Sequence, residues 1–502
     1  MNTIADLSEL SETTVNAFRG IYGRGALPFY KGILQSTGLV AYDLQPVAKS
    51  LFPVITPLRN RLPRVPGNGD TATRWAAVTA INTSKLRGGI PEGARNGFIN
   101  TTVQQKLSAY KTIGLDDFVS FEAQNAGQGF DNVRSRMAQN LLWATMIQEE
   151  KIIWGGNSDA GFLLGTTPTP VPATATIGGT IAAATYNVIC VALTHAGWDA
   201  STVAAGVPDV QTVTQPDGST YTYNPGTAIK SAAASQVTTG ATSTISATVT
   251  VVPGAMAYAW YVGTAGNERL QQITTINSFL MTSLNTTNQL VTGLFTADRS
   301  QNSLEFDGFM THAFRSGSPS IINTLATGVA GTGTKLTCSN NDASIDQFET
   351  VLKSYWDNYR IAPNVMYVSA QEIKNITTVI LKNNGSPVIR LNADAMAGAN
   401  GITGGSLVGT YLNRYASGGG TLIRIEIHPN AAPGTVLFHC DRIPYPINQV
   451  PNIVEMHYRQ DYYQLEWPLV KRRYESGVYA DITMPHYFPG AIGIVTNITD
   501  GA

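Results

Sequence analysis

Residues 130–154 read FDNVRSRMAQNLLWATMIQEEKIIW. Phe130, Val133, Met137, Leu141 and Ala144 recur at three- and four-residue intervals, the spacing of one helix face. Arg134, Arg136, Glu149, Glu150 and Lys151 fall mostly off that stripe. The spacing predicts a long helix over about 123–154, stopped by Gly155-Gly156. Everything else in the chain is placed relative to this element.

Upstream, two strand-like runs around Trp75 (roughly 72–81) and around Val103 and Leu107 (roughly 99–112) predict a hairpin. Gly88, Gly89, Pro91, Gly93 and Gly97 make its long tip. The hairpin and its stem are basic. Arg59, Arg61, Arg64, Arg74, Lys85, Arg87, Arg95, Lys106 and Lys111 face only Asp70 and Glu92, a net +7. Docking on an acidic neighbouring subunit is the expected use of that charge. A solvated basic loop and a nucleic-acid surface are the alternatives, the latter with only Trp75, Phe98 and Tyr110 as stacking rings. Residues 1–66 show no compact periodicity and read as an extended arm.

Downstream, composition changes. Residues 166–265 hold four charged side chains (Asp199, Asp209, Asp217, Lys230) and 21 threonines. Tyr186, Val188, Cys190 and Ala192 alternate as on a strand, as do Ala247, Val249 and Val251, and then Tyr258, Trp260 and Val262. Turn signals separate them at Pro216-Asp217-Gly218, Asn224-Pro225-Gly226 and Pro253-Gly254. The reading is a small all-β sandwich over 174–265, inserted through the stiff segment Thr167–Pro172.

Beyond the insert, helix and strand alternate, an α+β pattern. Ser344-x-x-Gln347 and Ser369-x-x-Glu372 read as capping boxes of two helices. Strands are expected at 365–368, 423–427, 435–440, 453–466, 474–484 and 491–498.

Composition excludes several classes. The chain has 502 residues, 33 Lys plus Arg and 34 Asp plus Glu, for a net charge of −1, which argues against a dedicated nucleic-acid binder. A charged fraction of 13% with 43% hydrophobic residues describes a folded chain with a weakly charged surface, easily desolvated against copies of itself. The N-terminal residues predict no signal peptide, and no apolar run approaches the length of about 20 residues that spans a bilayer. Cys190, Cys338 and Cys440 are too scattered for a disulfide framework, which fits a reducing cytoplasm. The six histidines show no zinc-binding spacing. Gly331-Thr-Gly-Thr-Lys335 lacks the contiguous Gly-Lys-Ser/Thr of a phosphate loop, and Gly404–Val408 is not a nucleophile elbow. His439-Cys440-Asp441 alternates along a strand, so adjacent members cannot form a relay. No catalytic residue, metal ligand or cofactor site is expected, and the chain reads as a non-enzyme.

Arm, basic hairpin, long helix, α+β block and returning strands, in this order, resemble the major capsid proteins of tailed bacteriophages, the Hong Kong 97-like fold. Val54-Ile-Thr-Pro-Leu-Arg-Asn-Arg-Leu-Pro-Arg64 looks like the segment entering that family's extended loop, and Tyr474–Asp481 with Pro489–Ile498 like its closing strands. The resemblance implies an N-arm (1–66), an extended loop (67–112), a peripheral domain with the spine helix (113–165), an inserted immunoglobulin- or fibronectin-like domain (166–270), a return to the core (271–340), an axial domain (341–450) and the C-terminal peripheral strands (451–502). It implies hexamers and pentamers in an icosahedral virion head around double-stranded DNA, assembled in the bacterial host cytoplasm. Implied partners are a portal protein, a decoration protein and, since residues 1–60 are too short and too weakly helical for a fused scaffold, a separate scaffolding protein, unless the chain is already the mature form. Arg74, Lys85, Arg87, Arg95 and Lys106 become the candidate inter-subunit contacts, with Lys85 the conceivable donor of a family-type crosslink. The other readings are an encapsulin-like compartment shell and a glycan-binding tail or surface protein.

Overall fold

The computed structural model describes residues 51–81, 89–95, 98, 100–128, 131–339, 343–383 and 407–501. Most of the arm, Phe130, Lys85, Arg87 and much of the Gly-rich 398–420 stretch lie outside the described residues. Two units separate: Met1–Leu51 with Gly127–Asn132, and Phe52–Ala126 with Val133–Ala502. All the elements named below belong to the second.

Pro57–Arg61 form a short helix, α1, and Arg64–Pro66 the strand β1. Ala72–Ile81 (β2) and Thr101–Ala109 (β3) follow, then β4 (Lys111–Ser120), α2 (Phe121–Ala126) and the 23-residue α3 (Val133–Gly155). The next stretch holds β5 (Val171–Ala175), β6 (Thr185–Leu193), α4 (His195–Asp199), β7 (Gln211–Thr214), β8 (Thr220–Tyr223), β9 (Ala234–Val237), β10 (Thr244–Thr248), β11 (Ala257–Gly263), β12 (Arg269–Thr274) and β13 (Ser278–Met281). The last part holds α5 (Phe309–Phe314), β14 (Ile321–Thr324), α6 (Asp346–Tyr359), β15 (Val365–Val368), α7 (Ala370–Asn383), β16 (Thr410–Asn413), β17 (Thr421–Ile427), β18 (Val436–His439), β19 (Met456–Glu466), β20 (Arg473–Thr483) and β21 (Ile492–Thr496).

The expected single helix over 123–154 is two helices. The sequence between them holds Gly127 and Gly129, and each glycine costs about 1 kcal/mol of helix propensity. α3 lays Met137 and Leu141 against Val119 of β4 and Val478 of β20. Those strands belong to a four-stranded sheet in the order β1-β19-β20-β4. A six-stranded sheet, β14-β21-β18-β15-β17-β16, carries the main core. Its central strands β15, β18 and β21 are buried along their whole length, as runs covered on both faces must be.

The capping boxes are only partly realised. α6 starts after Ile345, and no side chain caps it there. The Asp346 carboxylate instead accepts the Ser339 N–H (3.1 Å), and Gln347 accepts from the Thr337 N–H (3.1 Å). At α7, Ser369 Oγ accepts the Glu372 N–H (3.2 Å). The Glu372 carboxylate turns inward to the Gly434 N–H (3.1 Å), where burial pushes its pKa up to about 7.

The insert is two sheets face to face, β13-β10-β5 and β12-β11-β6-β9. Val188, Cys190, Ala192, Tyr258, Trp260 and Val262 of one meet Ile245, Ala247, Phe279 and Met281 of the other. The opposite face of the larger sheet is buried too: Ile189, Val191, Leu193, Ala259 and Tyr261 pack under Val207, Leu270, Val291 and Phe295. The sheets therefore run on past 265–270, where the sequence reading ends the module. Charge density misplaces that boundary, because Glu268 is buried in the sheet and accepts from Asn187 Nδ2 (2.9 Å).

The module is also welded to the main core. Met256 belongs to that core, Phe314 packs on both, and His195 Nε2 lies 2.5 Å from the Asn430 carbonyl. Asn497, at φ 64° in the left-handed region, accepts the Asn277 N–H (3.0 Å) and donates to Asn277 Oδ1 (3.0 Å) and the Leu325 carbonyl (2.9 Å). Asn497→Ala removes these bonds and strains the backbone, and is expected to lower stability by about 2–4 kcal/mol. Asn497→Gly keeps the backbone conformation and should lose less. Urea titration of both variants checks the order.

Candidate assembly interface

The root of the hairpin is built from charges that the sequence reading places on the solvent side of the long helix. Glu149 and Glu150 are buried, at 0% and 1% exposure. The helical face is wider than the apolar stripe suggests, because α1 and β1 cover the C-terminal half of α3. Glu150 accepts the N–H groups of Leu58 (2.9 Å) and Arg59 (2.7 Å), the free donors at the start of α1, and lies 2.7 Å from His428 Nε2. Pro57 opens that helix, a position where a missing N–H costs nothing. Glu149 accepts from Arg64 Nη1 (2.6 Å) and from the Tyr462 hydroxyl, with Arg59 Nε at 3.6 Å. Arg64 also holds Asp461 of β19 with two nitrogens (3.2 and 2.5 Å). Burial works against the Arg64 charge, but Asp461 and Glu149 more than offset it, so its pKa is raised. Arg61 pairs with Asp441 and with Glu426 (3.4 Å).

Three of the nine basic residues counted for docking, Arg59, Arg61 and Arg64, are therefore spent inside the subunit. Lys111 donates to the Ser303 carbonyl (2.6 Å). Arg74 is exposed and sits 3.7 Å from Asp70 in its own turn. Arg95 and Lys106 are exposed, Arg95 in the tip and Lys106 opposite Trp75 on β3. Lys85 and Arg87 lie outside the described residues.

β2 and β3 pair only with each other among the described strands. At the base the ribbon is pinned to the body. Trp75 stands edge-on to Tyr487 (5.3 Å), Thr73 bonds the Tyr110 hydroxyl (2.8 Å), and Ser108 bonds Thr483 (2.7 Å). Farther out, cross-strand partners Val78 and Val103 share a face with Ala76 and Gln105 and, nearer the root, with Arg74 and Leu107; Val78, Val103 and Leu107 are 64%, 54% and 64% exposed. Charge counting does not reveal this apolar face. Its signal is the placement of Val78, Val103 and Leu107 among alanine, threonine and glutamine, with register set by the bulge between Val78 and Ala80.

Gly404–Ser406 of the 404–408 motif lie outside the described residues. His439, the last residue of β18, and Asp441, just past its end, approach to 3.4 Å, but Cys440 points away. Its thiol donates to the Arg442 carbonyl (2.9 Å) and is pushed up to about 11 by burial. The Gly331–Lys335 segment is a turn bridged from Val329 to Gly333 and packed on Leu280. Among the described residues no group of His, Cys, Asp and Glu is arranged to hold a metal ion, and no helix is long and apolar enough to cross a membrane.

No family model matches the chain, and no curated protein matches its sequence. Among solved structures, it is similar to the holo-SrpI encapsulin complex of Synechococcus elongatus PCC 7942, with 7% identity, TM-score 0.40, and coverage of 94% of this chain and 97% of that one. It is similar to the capsid of the native GTA particle, with 8% identity, TM-score 0.40, and coverage of 94% and 100%. It is also similar to the capsid of Myoviridae phage XM1, with 9% identity, TM-score 0.39, and coverage of 93% and 100%.

Removing one member of a buried ion pair strands its partner, at a cost of about 3–5 kcal/mol. Glu149→Ala is expected to lose that much stability in urea titration. It should also speed hydrogen exchange of the β1 amides paired to β19.

Proposed function

We propose that this protein is a structural subunit that assembles with copies of itself into a closed shell, the icosahedral head of a tailed bacteriophage around double-stranded DNA. The observation that carries the reading is the ribbon β2–β3: rigidly rooted, and bare along an apolar face. A two-stranded ribbon is marginal alone in water, and burying each half-exposed Val or Leu would return about 1–2 kcal/mol. A neighbouring copy supplies such cover many times over in a shell, where weak contacts add. Arg95, Lys106 and Arg74, with Lys85 and Arg87 at the tip, would set the register against acidic groups of that neighbour.

In this reading residues 1–66 are the N-arm, 67–112 the extended loop and α3 the spine helix. The four-stranded sheet is the peripheral domain and 341–450 the axial domain. The insert is an immunoglobulin-like module turned outward. Its fusion to the main core fits a part of the shell wall better than a loosely tethered appendage. A portal, a separate scaffolding protein and a decoration protein are the partners proposed, with assembly in the host cytoplasm. The subunit does no covalent chemistry.

Electron microscopy of the purified protein, alone and with candidate scaffold, tests this. Rings of five and six or closed polyhedra are expected. The double variant Val78→Asp/Val103→Asp should reduce shell yield at least tenfold with an unchanged melting temperature. Charge reversal at Arg87 and Arg95 should reduce it less, and more so at low salt. A persistent monomer in every condition would overturn the reading, as would full shell yield from the double variant.

A further inference from the structure

Three histidines that the shell reading does not use meet in the core. His312 lies in α5, His439 ends β18 of the six-stranded sheet, and His486 lies just past β20 of the four-stranded sheet. They are 3%, 3% and 1% exposed. The His486 ring is 5.4 Å from that of His312 and 5.8 Å from that of His439, and Phe309 abuts both His439 (5.1 Å) and His486 (6.0 Å). Their hydrogen bonding is incomplete. His312 Nε2 lies 3.2 Å from the Met484 carbonyl, and His439 Nδ1 3.4 Å from Asp441. His312 Nδ1, His439 Nε2 and both nitrogens of His486 are buried with no partner.

A cation in this site finds only Asp441 and Asp159 as counter-charges, and both are already engaged. From α5, Arg315 faces His312 and His486, and it is half-neutralised by Asp159 at 3.7 Å. From just past β18, Asp441 faces His439, but Arg61 and Asn364 (2.6 Å) already hold that carboxylate. A proton on any ring sits beside the other two. Burial holds His312 down to about 3, and lowers His439 and His486 as well.

The three rings sit at a junction. α5 is locked to the end of α3: the Gly308 N–H and Thr311 Oγ1 donate to the Gly156 carbonyl (2.8 and 2.7 Å). A Cβ at Gly308 would stand 2.4 Å from the Ile152 carbonyl oxygen. Helix α5 and both sheets therefore meet at the three rings, and α5 ties them to the end of α3.

We infer that this cluster is an acid-release latch, which clamps α5 between the two sheets while its rings are neutral and opens the junction when they take up protons. The folded state binds fewer protons than the open state below the usual histidine range near 6.5, so stability is lost as pH falls below it. His312 and His486, the two rings held far down, then each favour opening about tenfold per pH unit, and together about a hundredfold.

The test is urea unfolding of the full chain from pH 7.5 to 5, followed by tryptophan fluorescence. His486→Phe removes one titrating ring and fills the space. Relative to the unsubstituted chain, its unfolding constant should fall about tenfold for each pH unit below 6. His312→Gln, which keeps a donor for the Met484 carbonyl, should give the same tenfold divergence if the phenylalanine variant does not fold. A role in packing alone gives a constant offset, so profiles parallel at every pH would overturn the latch.

Discussion

Two adjacent carboxylates inside α3 set the geometry of the rest. Taking Glu149 and Glu150 out of water costs several kcal/mol each, which only close and complete partnering offsets. The partners are specific: two amides at the start of α1, the guanidinium of Arg64, the Tyr462 hydroxyl and the His428 ring. Meeting that demand fixes α1 on α3 and lays β1 parallel to β19. It also sets where the chain leaves the body to enter the ribbon. His428 in turn stacks on Trp154 at 4.5 Å, so the clamp reaches the loop after β17 and ties the helix to the six-stranded sheet.

The ribbon is thus stiff where it starts and bare where it ends. Trp75, Thr73 and Ser108 give the root its contacts, whereas Val78 and Val103 have only each other. A chain of low charge density can leave such a face open only if it is covered in the working state, because exposed apolar sheet edges invite pairing. In the proposed shell, self-assembly would turn that liability into the function.

Much of this is legible in the sequence. Alternation around Trp75 and Val103 locates both strands of the ribbon, and the helical spacing of Met137 and Leu141 marks the face that is buried. Period-two runs identify the strands that fill the insert's core. The features that escape a sequence reading do so for physical reasons. Glu149 and Glu150 look like surface charges because their partners are 85 to 313 residues away in sequence. Glu268 and Arg269 look like the end of a charge-poor module, although strand pairing continues to Met281. Ser344 lies in front of a helix whose first turn is held by Thr337 and Ser339 instead. His312, His439 and His486 have no spacing to read, since two sheets and a helix bring them together.

Buried carboxylates anchor the ribbon, and in the proposed shell a neighbouring copy covers its outer half. Hydrogen exchange across residues 72–109, compared between free subunit and assembled particle, tests this most directly. Root amides near Ala72–Trp75 and Lys106–Ala109 should be protected in both states, and amides from Ala76 to Gln105 should exchange fast in the free subunit and slowly in the particle. Outer amides that exchange equally in both states would contradict it.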